Sequence, residues 1–429
     1  MFHKKTIKDI NLSGKTVLVR TDFNVPVKEG VITDDYRIEK ALPTLKYLID
    51  KKCKIVICSH LGRPKSADDT SVSLKPVAKR LKELLKNEVW FSPDCIGEKS
   101  RRLIKDLPQG EVLLLENLRF HKEEEANDDE FAGKLAEAID LFVQDGFGVV
   151  HRKHASTDAI ARHLESVAGL LVENEVKAIT AVMEKPERPL FALIGGAKIS
   201  DKIDMLNRFI DIADVVAVGG GMANTFLLAE GIEIGKSIAE PDEVPLAKEI
   251  LRKARAKARE GLFVFYVPQD GVVARKIDNT RPTRIVDWGT HAIAEIESYP
   301  KHPSKKSSQV SEDELILDIG PFSGAFIAGS MQLANTVIWN GTMGVTETPG
   351  LLSREGPYSQ GTELVIEAML GQFGHKPKTL VGGGDTVGYI EDQKLTAQFN
   401  HVSTGGGASL ELMSGKKLPG VETLQNRGK

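Results

Sequence analysis

Short apolar runs recur along the whole 429-residue chain, and each one ends in a polar or glycine-rich loop before a helix-like stretch. The runs are too short for helices and too uniformly apolar for strands with one wet face, which predicts buried parallel strands. The intervals at 75–86 and 245–259 are long enough to be crossover helices, so we expect an α/β fold. The predicted strands are 16–19, 54–58, 112–115, 141–143, 190–194, 215–218, 262–266, 315–319, 337–339 and 379–381.

The number of predicted strands argues for two domains, because strongly twisted open sheets seldom exceed ~10 strands. Two doubly wound parallel-sheet domains of Rossmann-like type, joined by a hinge helix, are the simpler arrangement. Two prolines among charged residues at 184–189 interrupt the pattern and mark the predicted boundary. A helix around 173–182 is expected to connect the halves, and the stretches 299–313 and 348–360 are expected to be surface loops.

Composition and charge narrow the range of partners. The 57 basic and 60 acidic residues give a net charge of −3, so an anion site must be local and nucleic acid is not an expected partner. No apolar run approaches the ~18 residues of a membrane span, and no signal-peptide pattern is found. The 3 cysteines are too few for a disulfide framework and have no Cys-x-x-Cys spacing. These features predict a soluble, cytoplasmic protein with no membrane partner.

The loops after the predicted strands of the first half carry cationic and hydrogen-bonding side chains. Ligands of α/β sheets bind beyond the carboxyl ends of the strands, so these side chains are expected to converge. Clustered cations repel one another unless an anion lies among them, and the arginine fork suits phosphate or carboxylate. The pattern predicts a small ligand with several negative charges, while the histidines at 151 and 154 are equally open to a structural interpretation. The residues are Asp22, Asn24, Arg37, His60, Arg63, Arg119, His151, Arg152 and His154.

The corresponding loops of the second half are glycine clusters, at 195–196, 219–221, 382–384 and 405–407. Glycines allow backbone N–H groups to close on phosphate oxygens, and a following helix adds the positive end of its dipole. Lys198 and Lys202 would share one helical face and offer point charges to a polyphosphate. Asp385 follows its glycines directly and suits Mg²⁺. The pattern predicts a nucleotide with magnesium.

Two common phosphate-binding motifs are incomplete in this chain. The segments 14–16 and 235–237 resemble the end of a Walker A loop, but Asp9 and Glu230 stand where its first glycine is required. Asn224 and Val387 replace the third glycine or alanine of the dinucleotide fingerprint. A nicotinamide-dependent oxidoreductase is therefore disfavoured.

Eight motifs, in order along both halves, resemble those of the phosphoglycerate kinase family. The resemblance implies a monomeric two-domain enzyme that transfers the acyl phosphate of 1,3-bisphosphoglycerate to MgADP, giving 3-phosphoglycerate and MgATP. It also implies direct in-line transfer with hinge-bending domain closure. The motifs are Arg20–Pro26, Ser59–Pro64, Leu115–His121, Gly195–Lys198, Gly219–Ala223, Trp339–Gly341, Gly382–Thr386 and Ser403–Ser409.

The same resemblance assigns roles to domains and residues. It implies a phosphoglycerate-binding domain at 1–172, a connecting helix and linker at 173–189, a nucleotide-binding domain at 190–404, and a segment at 405–429 that returns to the first domain. The implied catalytic residues are Arg37, Lys198, Gly384 and Gly407. The implied phosphoglycerate site is Asp22, Phe23, Asn24, Arg37, His60, Leu61, Gly62, Arg63, Arg119 and Arg152. The implied nucleotide site is Gly196, Ala197, Lys198, Lys202, Gly220, Asn340, Glu347, Gly383, Gly384, Asp385 and Thr386, with Asp385 as the Mg²⁺ ligand.

One alternative outside the enzyme class stays open at this stage. Thr342 and Thr346 stand where the family usually has proline and phenylalanine, which suggests a binding protein that has kept the shape and lost turnover. Intact Arg37, Lys198 and Asp385 favour the enzyme.

Overall fold

The computed structural model describes residues 2–66, 69–280, 282–288, 309–351 and 355–428. It divides into two compact units, the first formed by Met1–Thr180 with Thr404–Lys429 and the second by Ala181–Ser403. Most of the loop expected at 299–313, and part of the loop expected at 348–360, lie outside the described residues. Within the described ranges, no helix combines the length and apolar character that crossing a membrane requires.

The strands of the described chain are numbered in sequence order. They are β1 (Thr16–Arg20), β2 (Val27–Lys28), β3 (Val31–Ile32), β4 (Lys54–Cys58), β5 (Val89–Phe91), β6 (Val112–Leu114), β7 (Leu141–Gln144), β8 (Ser166–Ala168), β9 (Leu190–Ile194), β10 (Val215–Val218), β11 (Val264–Tyr266), β12 (Asp270–Ala274), β13 (Arg284–Asp287), β14 (Leu315–Ile319), β15 (Thr336–Asn340), β16 (Lys378–Gly382) and β17 (His401–Val402).

The α-helices follow the same numbering. They are α1 (Tyr36–Asp50), α2 (Lys75–Leu85), α3 (Glu98–Asp106), α4 (Lys122–Glu125), α5 (Asp129–Leu135), α6 (Leu170–Glu184), α7 (Ile203–Ile212), α8 (Gly220–Ala229), α9 (Val244–Glu260), α10 (Pro321–Met331), α11 (Gln360–Met369), α12 (Gly384–Asp392), α13 (Gly406–Met413) and α14 (Pro419–Glu422).

The first unit contains a parallel sheet that is buried on both faces. Its strands, among the described residues, lie in the order β5-β6-β4-β1-β7-β8. Val17 and Val19 belong to the apolar cluster on one face, whereas Leu18 and Val56 belong to the cluster on the other. Because successive side chains of a strand point to opposite faces, two buried faces require an uninterrupted apolar run. The sequence has such runs at these strands.

The second unit contains a parallel sheet with the order β11-β10-β9-β15-β16-β17 in its described part. In chain order its strands follow the 3-2-1-4-5-6 arrangement of the doubly wound fold, and the order reverses between β9 and β15. Ligands of such sheets bind at the carboxyl ends of the strands beside this reversal. The loops after Ile194 and Asn340 therefore mark the expected ligand position in this unit.

One predicted strand lies in a different kind of sheet from the one expected. The run at 315–319 was expected to be a parallel strand, but β14 pairs antiparallel with β12 in a sheet of order β13-β12-β14. The prediction of direction was wrong because an apolar run encodes burial and not the direction of its neighbour. β14 packs against α8 and α11, which accounts for its apolar composition.

The division between the units lies within α6, between Thr180 and Ala181. Near the start of α6, the carboxylate of Asp145 accepts a hydrogen bond from the backbone N–H of Leu171 at 2.9 Å. Chain ends also meet within the first unit, because the N–H of Lys5 donates to the carbonyl of Gln425 at 2.7 Å. The N-terminal and C-terminal segments therefore both belong to the first unit and are hydrogen-bonded to each other.

Candidate active site

In the first unit, the ends of the neighbouring strands β1 and β4 bring Asp22 close to His60. Arg37, from α1, donates to Asp22 Oδ2 at 2.8 Å, and His60 Nδ1 lies 3.8 Å from Asp22 Oδ1. Burial alone would raise the pKa of Asp22, but the charges of Arg37, His60 and Arg20 outweigh it, so the pKa lies below its usual value. Asp22 is therefore a carboxylate that holds Arg37 in place.

A second chain of contacts links Asn24 to Arg119 through the backbone of Gly62. Asn24 Oδ1 accepts from the Gly62 N–H at 2.8 Å, and Arg119 Nη1 donates to the Gly62 carbonyl at 2.7 Å. The side chains of Phe23 and Leu61, also predicted at this site, are buried in the core. Their backbone N–H groups are engaged as well, by Ser59 Oγ and Asn117 Oδ1 respectively.

Three arginines line an open cavity of about 550 Å³ in the first unit. Burial and the nearby charges of Arg20 and Arg152 lower the pKa of His154, which lines the same cavity, to about 4. The neutral imidazole adds no charge, so the cavity keeps an excess of positive charge suited to a small anion. The lining residues are Arg63, Pro64, Arg119, Glu125, Arg152 and His154.

In the second unit, Lys202 connects the two strand ends at the reversal of the sheet. Its Nζ donates to the Gly195 carbonyl at 2.6 Å and to Asn340 Oδ1 at 2.7 Å. Nearby, Thr386 Oγ1 accepts from the Gly341 N–H at 2.7 Å. Burial lowers the pKa of Lys202 to about 8, although the carboxylates of Asp385 and Asp201 oppose this shift.

A cavity of about 270 Å³ lies beside this network. Its lining includes five residues predicted from the sequence together with a set of apolar side chains. Gly220 has a φ of +64°, and a Cβ there would lie 2.7 Å from the Gly196 nitrogen, so the close approach of the two loops requires glycine. The predicted residues in the lining are Gly196, Ala197, Gly220, Glu347 and Asp385. The apolar side chains in the lining include Leu227, Ile238, Ile277, Trp288 and Ile316.

The remaining predicted residues are distributed between the units. Lys198 and Gly384 are exposed and do not line the cavity of the second unit, and a Cβ on Gly383 would lie 3.2 Å from Asn340. Gly407 belongs to the first unit, where a Cβ would lie 2.9 Å from His151 Nε2. The structure therefore collects the predicted residues into two groups, one in each unit.

One further cluster among the described residues has metal-ligating chemistry, namely Asp94, Cys95 and His121. His121 Nε2 lies 2.7 Å from Asp94 Oδ1, and the Cys95 thiol donates to the Glu116 carbonyl at 2.8 Å. Burial raises the pKa of the Cys95 thiol well above its usual value. Asp94 and His121 pair with each other and the Cys95 thiol pairs with a backbone carbonyl, so the cluster is explained as a structural one.

Comparison with known proteins identifies the family. The sequence profile described as phosphoglycerate kinase matches residues 7–416. The chain belongs to the phosphoglycerate kinase family. It is 46% identical over 427 residues to the phosphoglycerate kinase of Dictyoglomus turgidum, covering 99% of this chain and 100% of the relative. The phosphoglycerate kinase of Moorella thermoacetica is 42% identical over 424 residues, with 99% and 100% covered.

Solved phosphoglycerate kinases have the same fold. The structure from Coxiella burnetii matches with a TM-score of 0.79 and 36% identity, covering 98% of each chain. The structure from Pyrococcus horikoshii matches with a TM-score of 0.80 and 31% identity, covering 99% of this chain and 98% of the other. As a member of the phosphoglycerate kinase family, the chain is a phosphotransferase of glycolysis, and the family implies phosphoglycerate and adenine nucleotide substrates.

A buried polar group lies next to the predicted site of this family member and was not predicted from the sequence. Arg20 ends β1 and is only 1% exposed, and Glu124 and Ser156 are equally enclosed. An arginine at the end of a strand that is otherwise apolar was the available signal, because a buried guanidinium needs acceptors. The acceptor Ser156 could not be identified from the sequence, because it lies 136 residues away along the chain.

Proposed function

We propose that this chain transfers the acyl phosphate of 1,3-bisphosphoglycerate to MgADP, with phosphoglycerate bound by the first unit and nucleotide by the second. The observation that carries the proposal is that the two units contain cavities with different linings. An arginine-lined cavity of about 550 Å³ lies in one unit, and a glycine-lined cavity of about 270 Å³ lies in the other.

The first unit suits a phosphoglycerate anion. Arg63, Arg119 and Arg152 line the cavity, and one exposed carboxylate, Glu125, offsets only part of their charge. Arginine binds phosphate and carboxylate oxygens through two parallel hydrogen bonds, so it fixes orientation as well as charge. Asp22, Asn24 and His60 complete the proposed site.

The second unit suits the nucleotide. Backbone N–H groups of its glycine loops and the Lys202 ammonium would hold the phosphates, while the apolar side chains of the cavity lining would pack against the base. Asp385 has an exposed carboxylate at the start of α12, and a single carboxylate beside nucleotide phosphates is the usual protein ligand of Mg²⁺. We assign Asp385 to the Mg²⁺ that enters with the nucleotide.

The mechanism asks the protein to align two anions and to neutralise the charge of the moving group. A substrate carboxylate is the attacking or leaving group, so no general base is needed. We assign Arg37 and Lys198 to the equatorial oxygens of the transferring group, assisted by the backbone N–H groups of Gly384 and Gly407.

A coupled assay with 3-phosphoglycerate and MgATP tests this function. Turnover is expected, and a panel of nucleotides gives the preference of the apolar base pocket. The alternative of a binding protein without turnover predicts that both ligands bind, as measured by calorimetry, while no product forms. That combination of results would refute the proposed function.

The pKa of Lys202 gives a prediction for nucleotide binding. A diphosphate beside Lys202 favours the ammonium form, so its pKa is expected to rise from about 8 when ADP binds without Mg²⁺. The complex then binds more protons than the free protein, and net proton uptake is expected at a pH of about 8 to 9. Calorimetry in two buffers of different ionisation enthalpy measures this uptake. Lys202→Met should abolish it, and unchanged uptake in that variant would assign the proton elsewhere.

Domain closure gives a second prediction. In-line transfer needs the reacting atoms within about 3–3.5 Å of each other, and we propose that ligands bound to different units meet by hinge bending. Small-angle scattering with 3-phosphoglycerate and MgADP, which cannot react with each other, should show a smaller radius of gyration than either ligand alone produces. The four states to compare are the free protein, its complex with each ligand alone, and its complex with both. Equal radii of gyration in all four would contradict a hinge mechanism.

We also propose that the protein acts as a cytoplasmic monomer, as the family resemblance implies. Its three cysteines are all free and buried, which fits a reducing compartment. Sedimentation equilibrium of the purified protein measures the oligomeric state directly.

A further inference from the structure

The Arg20 side chain ends β1 inside the first unit and makes three defined contacts. Its Nε donates to Ser156 Oγ at 2.7 Å, and its Nη1 donates to the carbonyl of Thr21. Its Nη2 lies 3.4 Å from His60 Nδ1. A guanidinium that is 1% exposed is held in place by such contacts, because each unpaired donor would be unfavourable in the interior.

A buried carboxylate balances the charge of Arg20 through a hydroxyl group. Glu124 is 1% exposed and accepts from the Ser156 N–H at 2.9 Å and from Ser156 Oγ at 2.6 Å. Ser156 Oγ therefore accepts from Arg20 and donates to Glu124. Burial raises the pKa of Glu124, and the charge of Arg20 opposes that shift. The three residues form a connected unit behind the proposed phosphoglycerate site.

The contact with Arg20 determines where the His60 ring carries its proton. A guanidinium has no free acceptor, so Nη2 donates and His60 Nδ1 accepts. Asp22 would favour a proton on Nδ1, but its Oδ1 is 3.8 Å away, and its Oδ2 is engaged by Arg37 at 2.8 Å. None of the hydrogen bonds found in the described ranges uses His60 Nε2, which is left for a ligand.

The groups that face His60 also keep the ring neutral. Burial, followed by the charges of Arg20, Arg119 and Arg152, lowers the pKa of His60 well below its usual value, while Asp22 opposes them. A neutral ring with a bare Nδ1 carries its proton on Nε2. The opposite tautomer, with the proton on Nδ1, would direct the lone pair of Nε2 at the phosphoglycerate anion, and the two would repel each other.

We infer that Arg20 is a positioning residue that fixes the neutral Nε2–H tautomer of His60, so that the imidazole donates a hydrogen bond to an oxygen of the phosphoglycerate anion. The inference rests on the proposed function, in which His60 contacts phosphoglycerate. Arg20 itself acts through His60, and Ser156 and Glu124 hold the guanidinium in position.

Nitrogen NMR of the full-length protein, labelled at histidine with ¹⁵N and free of substrate, tests the tautomer directly. His60→Gln assigns the His60 signals. At about pH 7 we expect a protonated Nε2 and an unprotonated Nδ1. A proton on Nδ1, or on both nitrogens, would overturn the inference. Because this measurement needs no turnover, it stays independent of whether the proposed kinase reaction occurs.

The kinetic test removes the buried charges as a pair. Arg20→Met with Glu124→Gln avoids leaving either charge unpaired in the core. We expect the KM for 3-phosphoglycerate to rise about tenfold at pH ~8, with a smaller change in kcat, because one hydrogen bond to a charged ligand loses its donor. Arg102→Ala, which removes an arginine whose side chain is 84% exposed in the same unit, is the matched control, and its KM should stay near that of the wild type.

The pH profile separates positioning from a general loss of structure. In the double variant the pKa of His60 rises, because Arg20 no longer opposes protonation and Asp22 still favours it. An imidazolium carries protons on both nitrogens and restores the donor, so the KM difference from the wild type should shrink as the pH falls from about 8 to about 6. A KM difference that is constant with pH would show a merely structural role and refute the inference.

Discussion

Lys198→Ala is expected to lower kcat about 10²–10³-fold with little change in the KM for MgATP, the scale found when one donor to a transition-state charge is removed. The structure supports this division. Lys198 is exposed, whereas the half-buried Lys202 donates to the Gly195 carbonyl and to Asn340 Oδ1 at the strand ends. A lysine that does not contact the bound nucleotide before the reaction can still stabilise the phosphoryl group during its transfer.

Steady-state kinetics with both substrates varied measures this effect. Lys248→Ala, which removes an exposed lysine of α9 in the same unit, is the matched control and should leave both constants unchanged. If Lys198→Ala raised KM alone, Lys198 would bind the nucleotide in the ground state, and its assignment to the transferring group would fail.

Arg37→Ala is expected to lower kcat by a similar factor of about 10²–10³, for the same electrostatic reason. This substitution has a second consequence, because Arg37 donates to Asp22 at 2.8 Å. The Arg37 charge is the largest influence that lowers the pKa of Asp22 against its burial, so that pKa should rise in the variant. The acid limb of the kcat profile should then lie at a higher pH in the variant than in the wild type, since Asp22 loses its charge beside His60 at a higher pH.

Arg37→Lys gives a graded comparison, because lysine keeps the charge and loses the planar fork. Its kcat should lie between those of the wild type and the alanine variant. The matched control is Arg102→Ala, whose side chain is 84% exposed in the same unit and pairs with Asp106 on its own helix. Equal losses in Arg37→Ala and Arg102→Ala would mean that the cation at position 37 has no specific role.

The strand positions were largely predictable from the sequence. Nine of the ten predicted runs coincide with parallel strands, because a strand covered on both faces must be apolar along its whole length. Two of the missed strands, β5 and β17, are short and lie at the edges of the parallel sheets, where this requirement relaxes. The direction of β14 depended on its partner β12, and no local pattern records a partner.

The residues proposed for the two sites were found by sequence motif, and their roles stay predictions. The structure adds contacts between them that spacing does not reveal, as for Asn24, Gly62 and Arg119. It also shows that Phe23 and Leu61 contribute side chains to the core instead of the cavity. Motif similarity marks a position and does not say which of its atoms face a ligand.

The sequence by itself determined that this chain is a two-part α/β protein with a cation-rich half and a glycine-rich half, since burial periodicity and loop chemistry are local properties. The tertiary structure alone decided which strands became neighbours and that Arg20 lies between His60 and the distant Ser156. The physical reason is that a buried charge is stable only where acceptors from remote segments converge on it, and that convergence exists only in the folded chain.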